Sequence, residues 1–330
     1  MIKMNRRQSS RVVMKDGREP VVAVIIVTWN GKGHTLECLQ CVDKLAYPKK
    51  KLQLLLVDNG STDGSQKSIK GFLKRRGKRF LSVRLLELPD NVGAPAAFNR
   101  ALEMLHPSVQ AVWKLDNDVT FEPNYLSMLV KATGAYERVG AVGGRILGVD
   151  GAEHEVGAAV RRGPRRWMST LEYVTARELN INGLSVILGT SCLFPRNVFD
   201  RVGLFDEDFF LYYDDTEFCL RLKNHGLGLY VEPLATVIHH RSTSVGRESK
   251  IRLSYMVRNH LLLGRRVFHG WDRAAFFGFQ IVTFPWRLIR IMMEFRILGA
   301  SRAARYCSIA FWQGLRGRTG KIVFDEGSDL

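Results

Sequence analysis

The chain alternates between short apolar runs and longer segments in which apolar residues recur with helical spacing. The apolar runs cover residues 21–27, 52–57, 83–88 and 111–115, and all four predict strands. The aliphatic and β-branched residues of 21–27 and 52–57 are typical of strands buried on both faces. The segments with helical spacing cover residues 34–45, 65–76 and 91–105. Strands that alternate with helices of this length predict an α/β fold with a mostly parallel sheet flanked by helices.

Polar side chains follow three of these strands at the point where each strand ends. They are Thr28 and Asn30, then Asp58 and Asp63, and finally Asp116 and Asp118. In open parallel sheets, ligands bind at the carboxyl ends of the strands. The sequence therefore predicts a single ligand site at that edge of the sheet.

Two of these clusters carry carboxylates for which both a chemical and a structural role are open. Asp116-Asn117-Asp118 places two hard oxygen ligands on one turn, which suits Mg²⁺ or Mn²⁺ bound to a diphosphate, but it is also typical of a turn that caps a helix. Asp58 can accept hydrogen bonds from a base or ribose, or it can cap the following helix.

Two further candidates lie in the second half of the chain. Asp214 and Asp215 follow a run of aromatic residues, so partial desolvation can raise a carboxyl pKa and create a general base; the alternative is an acidic helix N-terminus. His239 and His240 end an apolar strand, where either one is a metal ligand or an ordinary surface histidine.

The motifs taken together resemble the inverting family 2 glycosyltransferases with a GT-A fold. They are VTWN at 27–30, VDNGSTDGS at 57–65, NVG at 91–93, LDND at 115–118, GLFDE at 203–207, DD at 214–215 and HH at 239–240. The likeness is greatest to the branch that holds rhamnosyl- and galactofuranosyltransferases, partly because YMVRN at 255–259 follows the histidines.

The resemblance implies a role for each matching residue. The nucleotide-sugar site is expected to comprise Thr28, Asn30, Asp58, Asp63, Asn91, Gly93 and Asp116. The expected metal is Mn²⁺ or Mg²⁺, held by Asp118, Asp116 and His239, with His240 as the alternative histidine. Asp215 matches the general base of the family, although this chain has Asp-Asp where Glu-Asp is usual, which leaves Asp214 as a second candidate.

The implied activity is transfer of a sugar from a nucleoside-diphosphate donor, with UDP- or dTDP-sugars favoured, to a hydroxyl of a cell-envelope or lipid-linked glycan. The Gln-x-x-Arg-Trp element of processive synthases has no counterpart, because residues 313–317 read QGLRG. We therefore expect a non-processive, inverting and metal-dependent enzyme.

The charge of the chain adds an expectation about its surroundings. There are 49 Lys and Arg against 32 Asp and Glu, a net charge of +17, and residues 241–330 hold 16 of the basic and six of the acidic residues. Since the same stretch is rich in aromatic and aliphatic residues, we expect it to contact an anionic membrane surface. The protein is then expected to be peripheral, on the cytoplasmic face of the membrane.

These features predict three parts of the chain. They are a basic N-terminal tail at 1–20, a GT-A catalytic domain at 21–240, and a basic amphipathic helical region at 241–330 that associates with membranes.

Two alternatives compete with the glycosyltransferase interpretation. The charge also suits a nucleic-acid-binding protein, although no nucleic-acid partner is expected because acidic clusters at the strand ends would repel phosphates. A catalytically inactive protein of the same fold is the other alternative.

Overall fold

A computed structural model describes residues 19–160, 171–175, 184, 186–187, 189–240, 247–294 and 300–323. The predicted N-terminal tail lies outside the described residues except for its last two positions, as do residues 241–246 and 324–330 of the predicted C-terminal region.

An eight-stranded mixed sheet forms the centre of the fold. Its strands are β1 (Val22–Thr28), β2 (Leu52–Asp58), β3 (Ser82–Glu87), β4 (Ala111–Asp116), β5 (Val119–Phe121), β6 (Val139–Gly148), β10 (Ser191–Pro195) and β11 (Gly228–His239), in the order β3-β2-β1-β4-β10-β6-β11-β5. The pairs β1–β2, β1–β4, β2–β3 and β6–β11 are parallel, whereas β10 is antiparallel to both neighbours and β5 to β11. A small antiparallel sheet contains β7 (Glu155–Val160), β8 (Leu171–Thr175) and β9 (Val186–Ile187).

Helices cover the sheet on both sides. The first six are α1 (Lys32–Lys44), α2 (Ser65–Arg76), α3 (Ala94–Leu102), α4 (Tyr125–Ala135), α5 (Asn197–Val202) and α6 (Asp214–Asn224). Alternate residues of β1 enter opposite cores, with Val22 and Val24 in one and Ala23 and Ile25 in the other. The runs that form β1 and β2 are therefore strands buried on both faces, as the sequence predicts, and β4 is largely buried too, whereas β3 at the edge of the sheet is only partly buried.

The third helix is shorter than predicted. The spacing predicts a helix over 91–105, but α3 covers only Ala94–Leu102. Gly93 has φ of +91°, which a helix does not allow, and Asn91 Oδ1 accepts a hydrogen bond from the Gly93 N–H at 2.9 Å. Backbone conformation before α3 thus delays the helix start.

Three helices form the C-terminal part: α7 (Arg247–Val267), α8 (Gly270–Glu294) and α9 (Ala300–Leu315). They pack through aromatic contacts, for example the stacked rings of Phe284 and Phe311 at 3.7 Å. Helix α7 also contacts the rest of the protein, because Tyr255 stacks on Phe210 with ring centroids 5.4 Å apart. In the described part of the chain, no helix combines the length and the apolar character that a membrane span needs.

One side of α8 exposes a row of large apolar residues. We call it the apolar face of α8; it comprises Trp271, Ile281, Val282, Trp286, Ile289, Met292 and Met293. Trp271, Trp286, Val282 and Met293 each expose more than 70% of their surface. An exposed apolar patch of this kind is typical of an interaction surface.

Candidate functional site

The loops after the first three strands are tied together at the carboxyl edge of the sheet. Asn30 Oδ1 accepts a hydrogen bond from the Thr62 N–H at 2.7 Å, which joins the loop after β1 to the loop after β2. Asn59 Nδ2 donates to Asn91 Oδ1 at 3.0 Å, which joins the loop after β2 to the loop after β3. The edge is therefore one continuous surface, as the sequence predicts.

Asp58 is fully buried at the end of β2. Its Oδ1 accepts hydrogen bonds from the Ser61 N–H and from Gln66 Nε2, both at 2.9 Å. Its Oδ2 is buried and no donor among the described residues reaches it. Because a buried carboxylate oxygen without a donor is costly, this atom is suited to a ligand that brings an N–H or O–H group.

Asp63 stabilises the turn between β2 and α2. One oxygen accepts from the Lys32 N–H and the other from the Ser65 N–H, both at 2.9 Å. Partial burial alone raises the carboxyl pKa, but the hydrogen bonds from Ser65 and Lys32 outweigh it and hold the pKa of Asp63 below its usual value. Asp63 is therefore a charged residue that orders the loops around Asn30.

Thr28 lies inward from the ligand edge. Its hydroxyl is 2.8 Å from that of Thr35, and Asn117 Nδ2 donates to it at 3.2 Å. Asn117 is the middle residue of the predicted metal turn, so Thr28 positions that turn. A Cβ on Gly31 would lie 2.3 Å from Asn117 Nδ2, which explains why glycine follows Asn30.

Gly93 lies where two loops approach each other closely. A Cβ at this position would be 2.7 Å from the carbonyl oxygen of Phe210, and the Ala94 N–H donates to the same oxygen at 2.8 Å. Gly93 thus joins the predicted nucleotide loop to the segment that leads into Asp214.

Asp116, Asp118 and His239 converge at the centre of the edge. Each offers one ligand atom, and these atoms lie within 4.8 Å of one another. His239 Nε2 is 3.2 Å from Asp118 Oδ1. Two carboxylate oxygens and an imidazole nitrogen are a donor set that suits Mn²⁺ or another divalent cation. The residues present therefore fit the predicted metal.

His240 occupies a different environment from His239. Its Nε2 is 2.8 Å from Thr120 Oγ1, and its ring is 5.8 Å from that of His34. The backbone N–H of His240 donates to the Asp118 carbonyl at 2.8 Å, but it is the imidazole of His239, and not that of His240, that lies beside the Asp118 carboxylate.

Asp214 and Asp215 begin α6 on the other side of Asp116. Asp215 accepts hydrogen bonds from the Gly189 N–H at 2.8 Å and from the Thr216 N–H at 2.6 Å, which orient its half-buried carboxylate. Asp214 is buried; burial and the neighbouring charge of Asp215 raise its pKa to about 7. Only Asp215 therefore combines an oriented carboxylate with access to the site.

Lys114 is a central residue of the site that the motifs did not indicate. Its ammonium donates to the Gly189 carbonyl at 2.9 Å and lies 3.5 Å from Asp116 Oδ1. Burial lowers its pKa, but the carboxylates of Asp116, Asp214 and Asp215 more than offset this and raise the pKa above its usual value. The sequence feature that could have indicated Lys114 is a single lysine inside an apolar strand, in the segment AVWKLD.

Burial also raises the pKa of Asp116, and the charge of Asp118 acts in the same direction. Lys114 and His239 oppose this rise. The carboxylates of the site thus surround the ammonium group of Lys114, and their remaining negative charge favours binding of a further cation.

The loop before Asp214 is held in an unusual conformation by α7. Phe210, Tyr212 and Tyr213 have φ between +60° and +69°. Asn259 Nδ2 donates to the carbonyl oxygens of Phe209, Leu211 and Tyr212 at 2.9, 2.7 and 2.8 Å.

Arg258 supports the same loop. It donates to Asn259 Oδ1 at 2.8 Å and to the Phe209 carbonyl at 3.0 Å, and it also binds the Gly320 carbonyl. Both Arg258 and Asn259 are fully buried. The C-terminal helices therefore position this loop, residues 209–213, which we call the base loop because it leads to the predicted base, Asp215. The motif at 255–259 did not reveal this role by itself.

Comparison with known proteins agrees with this geometry. The sequence model of the family described as "Glycosyl transferase family 2" matches residues 23–203. The chain is 28% identical over 278 residues to N-acetylglucosaminyl-diphospho-decaprenol L-rhamnosyltransferase of Mycobacterium tuberculosis, covering 77% of this chain and 87% of that protein. It is 33% identical over 90 residues to dTDP-rhamnosyl transferase RfbF of Shigella flexneri, covering 25% of this chain and 30% of the relative.

The fold is also found in a solved structure. Mannosyltransferase PcManGT from Pyrobaculum calidifontis, in complex with GDP-Man and Mn²⁺, matches with a TM-score of 0.59 and 18% identity, over 90% of this chain and 88% of that one. The likeness confirms the predicted GT-A fold. With more than half of its residues matched by the family model, this chain belongs to glycosyl transferase family 2.

Proposed function

We propose that the protein is a non-processive, inverting, metal-dependent glycosyltransferase that uses a dTDP- or UDP-sugar and a lipid-linked glycan acceptor of the cell envelope. The observation that carries the proposal is the convergence of Asp116, Asp118 and His239 beside Asp215 at the ligand edge of the sheet. The names of the two rhamnosyltransferase relatives support a deoxysugar donor and, in one of them, a polyprenyl-diphosphate acceptor.

The donor nucleotide is proposed to lie along the loops after β1, β2 and β3. Asp58 Oδ2 accepts a hydrogen bond from the nucleobase, and this N–H group is the hydrogen-bond partner that the buried oxygen lacks. The loops around Asn30, Asp63, Asn91 and Gly93 enclose the ribose and diphosphate.

Asp116, Asp118 and His239 would hold the divalent cation. Such a cation neutralises the charge that develops on a departing nucleoside diphosphate. Lys114 contributes a fixed positive charge on the side of Asp116 that faces Asp215.

Asp215 is proposed to remove the proton from the acceptor hydroxyl as that oxygen attacks the anomeric carbon. The N–H groups of Gly189 and Thr216 fix the carboxylate orientation. A single displacement with one base inverts the anomeric configuration. Asp214 stays behind Asp215, where its raised pKa gives it a share of the neutral form near pH 7.

The proposed location is the cytoplasmic face of a membrane, with the apolar face of α8 against an anionic bilayer. The support is the row of exposed apolar side chains on this helix, whose 25 residues extend about 37 Å, together with the basic charge of residues 241–330.

A panel of nucleotide sugars tests the enzymatic proposal. We expect nucleoside-diphosphate release from a dTDP- or UDP-sugar only with Mn²⁺ or Mg²⁺, and at least a hundredfold less release in Asp118→Ala. His240→Ala is the matched control and keeps most of the activity, because His240 binds Thr120. If no donor binds in the presence of metal, and the protein instead shifts DNA in a salt-sensitive manner, the nucleic-acid-binding alternative is correct.

Co-sedimentation with vesicles tests the location. The double variant Val282→Ser/Trp286→Ser is expected to lose most of its binding to vesicles that contain phosphatidylglycerol. The control Val149→Ser/Leu234→Ser alters residues that are 69% and 77% exposed outside α8, and it keeps full binding. Equal binding by both variants contradicts the proposed use of α8.

A further inference from the structure

A groove of about 820 Å³ lies along α9 and the segment after it, away from the strand ends. Its walls include Arg316, Arg318 and Lys321, all on the segment that follows α9. Trp312, Ile309 and Val323 supply an apolar portion. None of the lining residues in the described part of the chain is acidic. Three cations of one short segment that share a concave surface favour a multiply charged anion.

The groove lies close to the base loop. Ile309 packs against a buried cluster of Phe210, Tyr255, Tyr306, Ala310 and Ile322, and Tyr212 packs against the same cluster. The Gly320 N–H, on the segment that bears Arg318 and Lys321, donates to the Asp208 carbonyl at 2.9 Å. One layer of side chains therefore separates the groove from the residues that lead into Asp214 and Asp215.

The groove and the nucleotide loops are built from different residues. The groove is lined by residues between Arg305 and Val323, whereas Gly93 of the loop after β3 approaches the Phe210 backbone. A phosphate group in the groove is thus distinct from the donor diphosphate.

We propose that this groove binds the diphosphate of a polyprenyl-diphosphate-linked acceptor, with Trp312 and Ile309 against the first isoprenoid units. This inference rests on the proposed function for the class of acceptor. The volume is that of an ordinary small-molecule site, and guanidinium groups bind phosphate oxygens with paired hydrogen bonds.

The test uses the full-length protein and nanodiscs of phosphatidylcholine that contain a polyprenyl diphosphate, the matching polyprenol, or phosphatidylglycerol of equal total charge. The groove variant is Arg316→Glu/Arg318→Glu. The control is Lys74→Glu/Arg75→Glu, which reverses the same charge at exposed positions of α2. Thermal unfolding and circular dichroism verify that each variant is folded.

We expect the parent and the control to bind the diphosphate nanodiscs about tenfold more tightly than either other kind, and the groove variant to lose this preference. The groove variant is also expected to raise the acceptor KM about tenfold. Unchanged preference in the groove variant overturns the proposal. So does equal binding of phosphatidylglycerol, which would make bulk lipid headgroups the ligand.

A second variant separates this inference from the proposed function. Asp215→Asn is expected to lose sugar transfer and to keep its preference for the diphosphate nanodiscs, since Asp215 does not line the groove. If the parent shows that preference without turning over any donor, the proposed function fails while the groove assignment stands. If the parent turns over donor and acceptor but shows no preference, the groove assignment alone fails.

Discussion

Asn259 connects the C-terminal helices to the base loop, and its replacement by leucine tests that connection. The side-chain amide donates to three carbonyl oxygens of the loop at 2.7 to 2.9 Å. Leucine has the same number and branching of side-chain heavy atoms and no hydrogen-bond donor, so Asn259→Leu leaves these carbonyls without that partner while the side-chain skeleton is kept.

The cost follows from the number of lost hydrogen bonds. Asn259→Leu removes these three bonds and also the one that Asn259 Oδ1 accepts from Arg258 Nε. A buried hydrogen bond contributes about 1 kcal/mol net, so the loss is about 4 kcal/mol. For a chain of 330 residues, the entropy of unfolding is roughly 0.7 kcal/mol/K, and the melting temperature is expected to fall by about 6 °C.

The effect on activity is expected to exceed the effect on stability. Phe210, Tyr212 and Tyr213 have positive φ, a conformation that costs about 1 kcal/mol or more for each residue and persists only when its surroundings impose it. Without Asn259 the loop relaxes and Asp215 shifts. We expect kcat to fall between 10- and 100-fold, while the KM for the donor changes little because Asp58 lies on β2.

Calorimetry and steady-state kinetics with saturating metal measure both effects. Gln53→Leu is the control, because it removes a buried amide that bonds Met104 and His106 and not the loop. A variant with a lowered melting temperature and an unchanged kcat would refute the role of α7 in positioning the base, and an unchanged melting temperature would refute the hydrogen-bond argument itself.

Two further predictions concern Asp214 and Gly93. The raised pKa of Asp214, about 7 against an unfolded value of 3.8, means that the folded protein retains a proton which the unfolded chain releases; stability therefore falls as pH rises from about 4 to 7. In EDTA, Asp214→Asn is expected to be more stable than the parent by about 2–4 kcal/mol at pH 8 and nearly equal to it at pH 4 in urea unfolding, and a pH-independent difference would contradict the argument. Gly93→Ala is expected to destabilise the fold by about 3 kcal/mol because its Cβ would meet the Phe210 backbone. Gly134→Ala, a helical position with open space around it, is the control and should not destabilise; equal melting temperatures for the two variants would exclude the proposed clash.

The local pattern of the chain determined the strands and the location of the ligand edge. The apolar runs that became β1, β2 and β4 bury both faces whatever their neighbours are, so their composition alone specifies them. Each run ends in polar residues, and parallel pairing brings those ends together. Asp58, Asp116 and Asp118 could therefore be assigned to one site before the structure was known.

Residues distant in sequence entered the site only through tertiary packing. Strand β10 inserts antiparallel between β4 and β6, and Gly189, two residues before this strand, bridges Lys114 and Asp215. Neither contact has a local signal, since a lysine in a strand and a glycine in a loop are both common.

The base loop and the residues that follow it show the same contrast between what the local sequence indicates and what tertiary packing decides. The sequence identified Asp214 and Asp215 as candidates, but their different environments depend on burial, which is a property of the assembled core. Likewise, the motif containing Asn259 is legible as a pattern, whereas its three hydrogen bonds to a loop 47 to 50 residues away arise only when α7 packs beneath that loop. Periodicity encodes which faces are buried, and only the folded chain decides which buried faces meet.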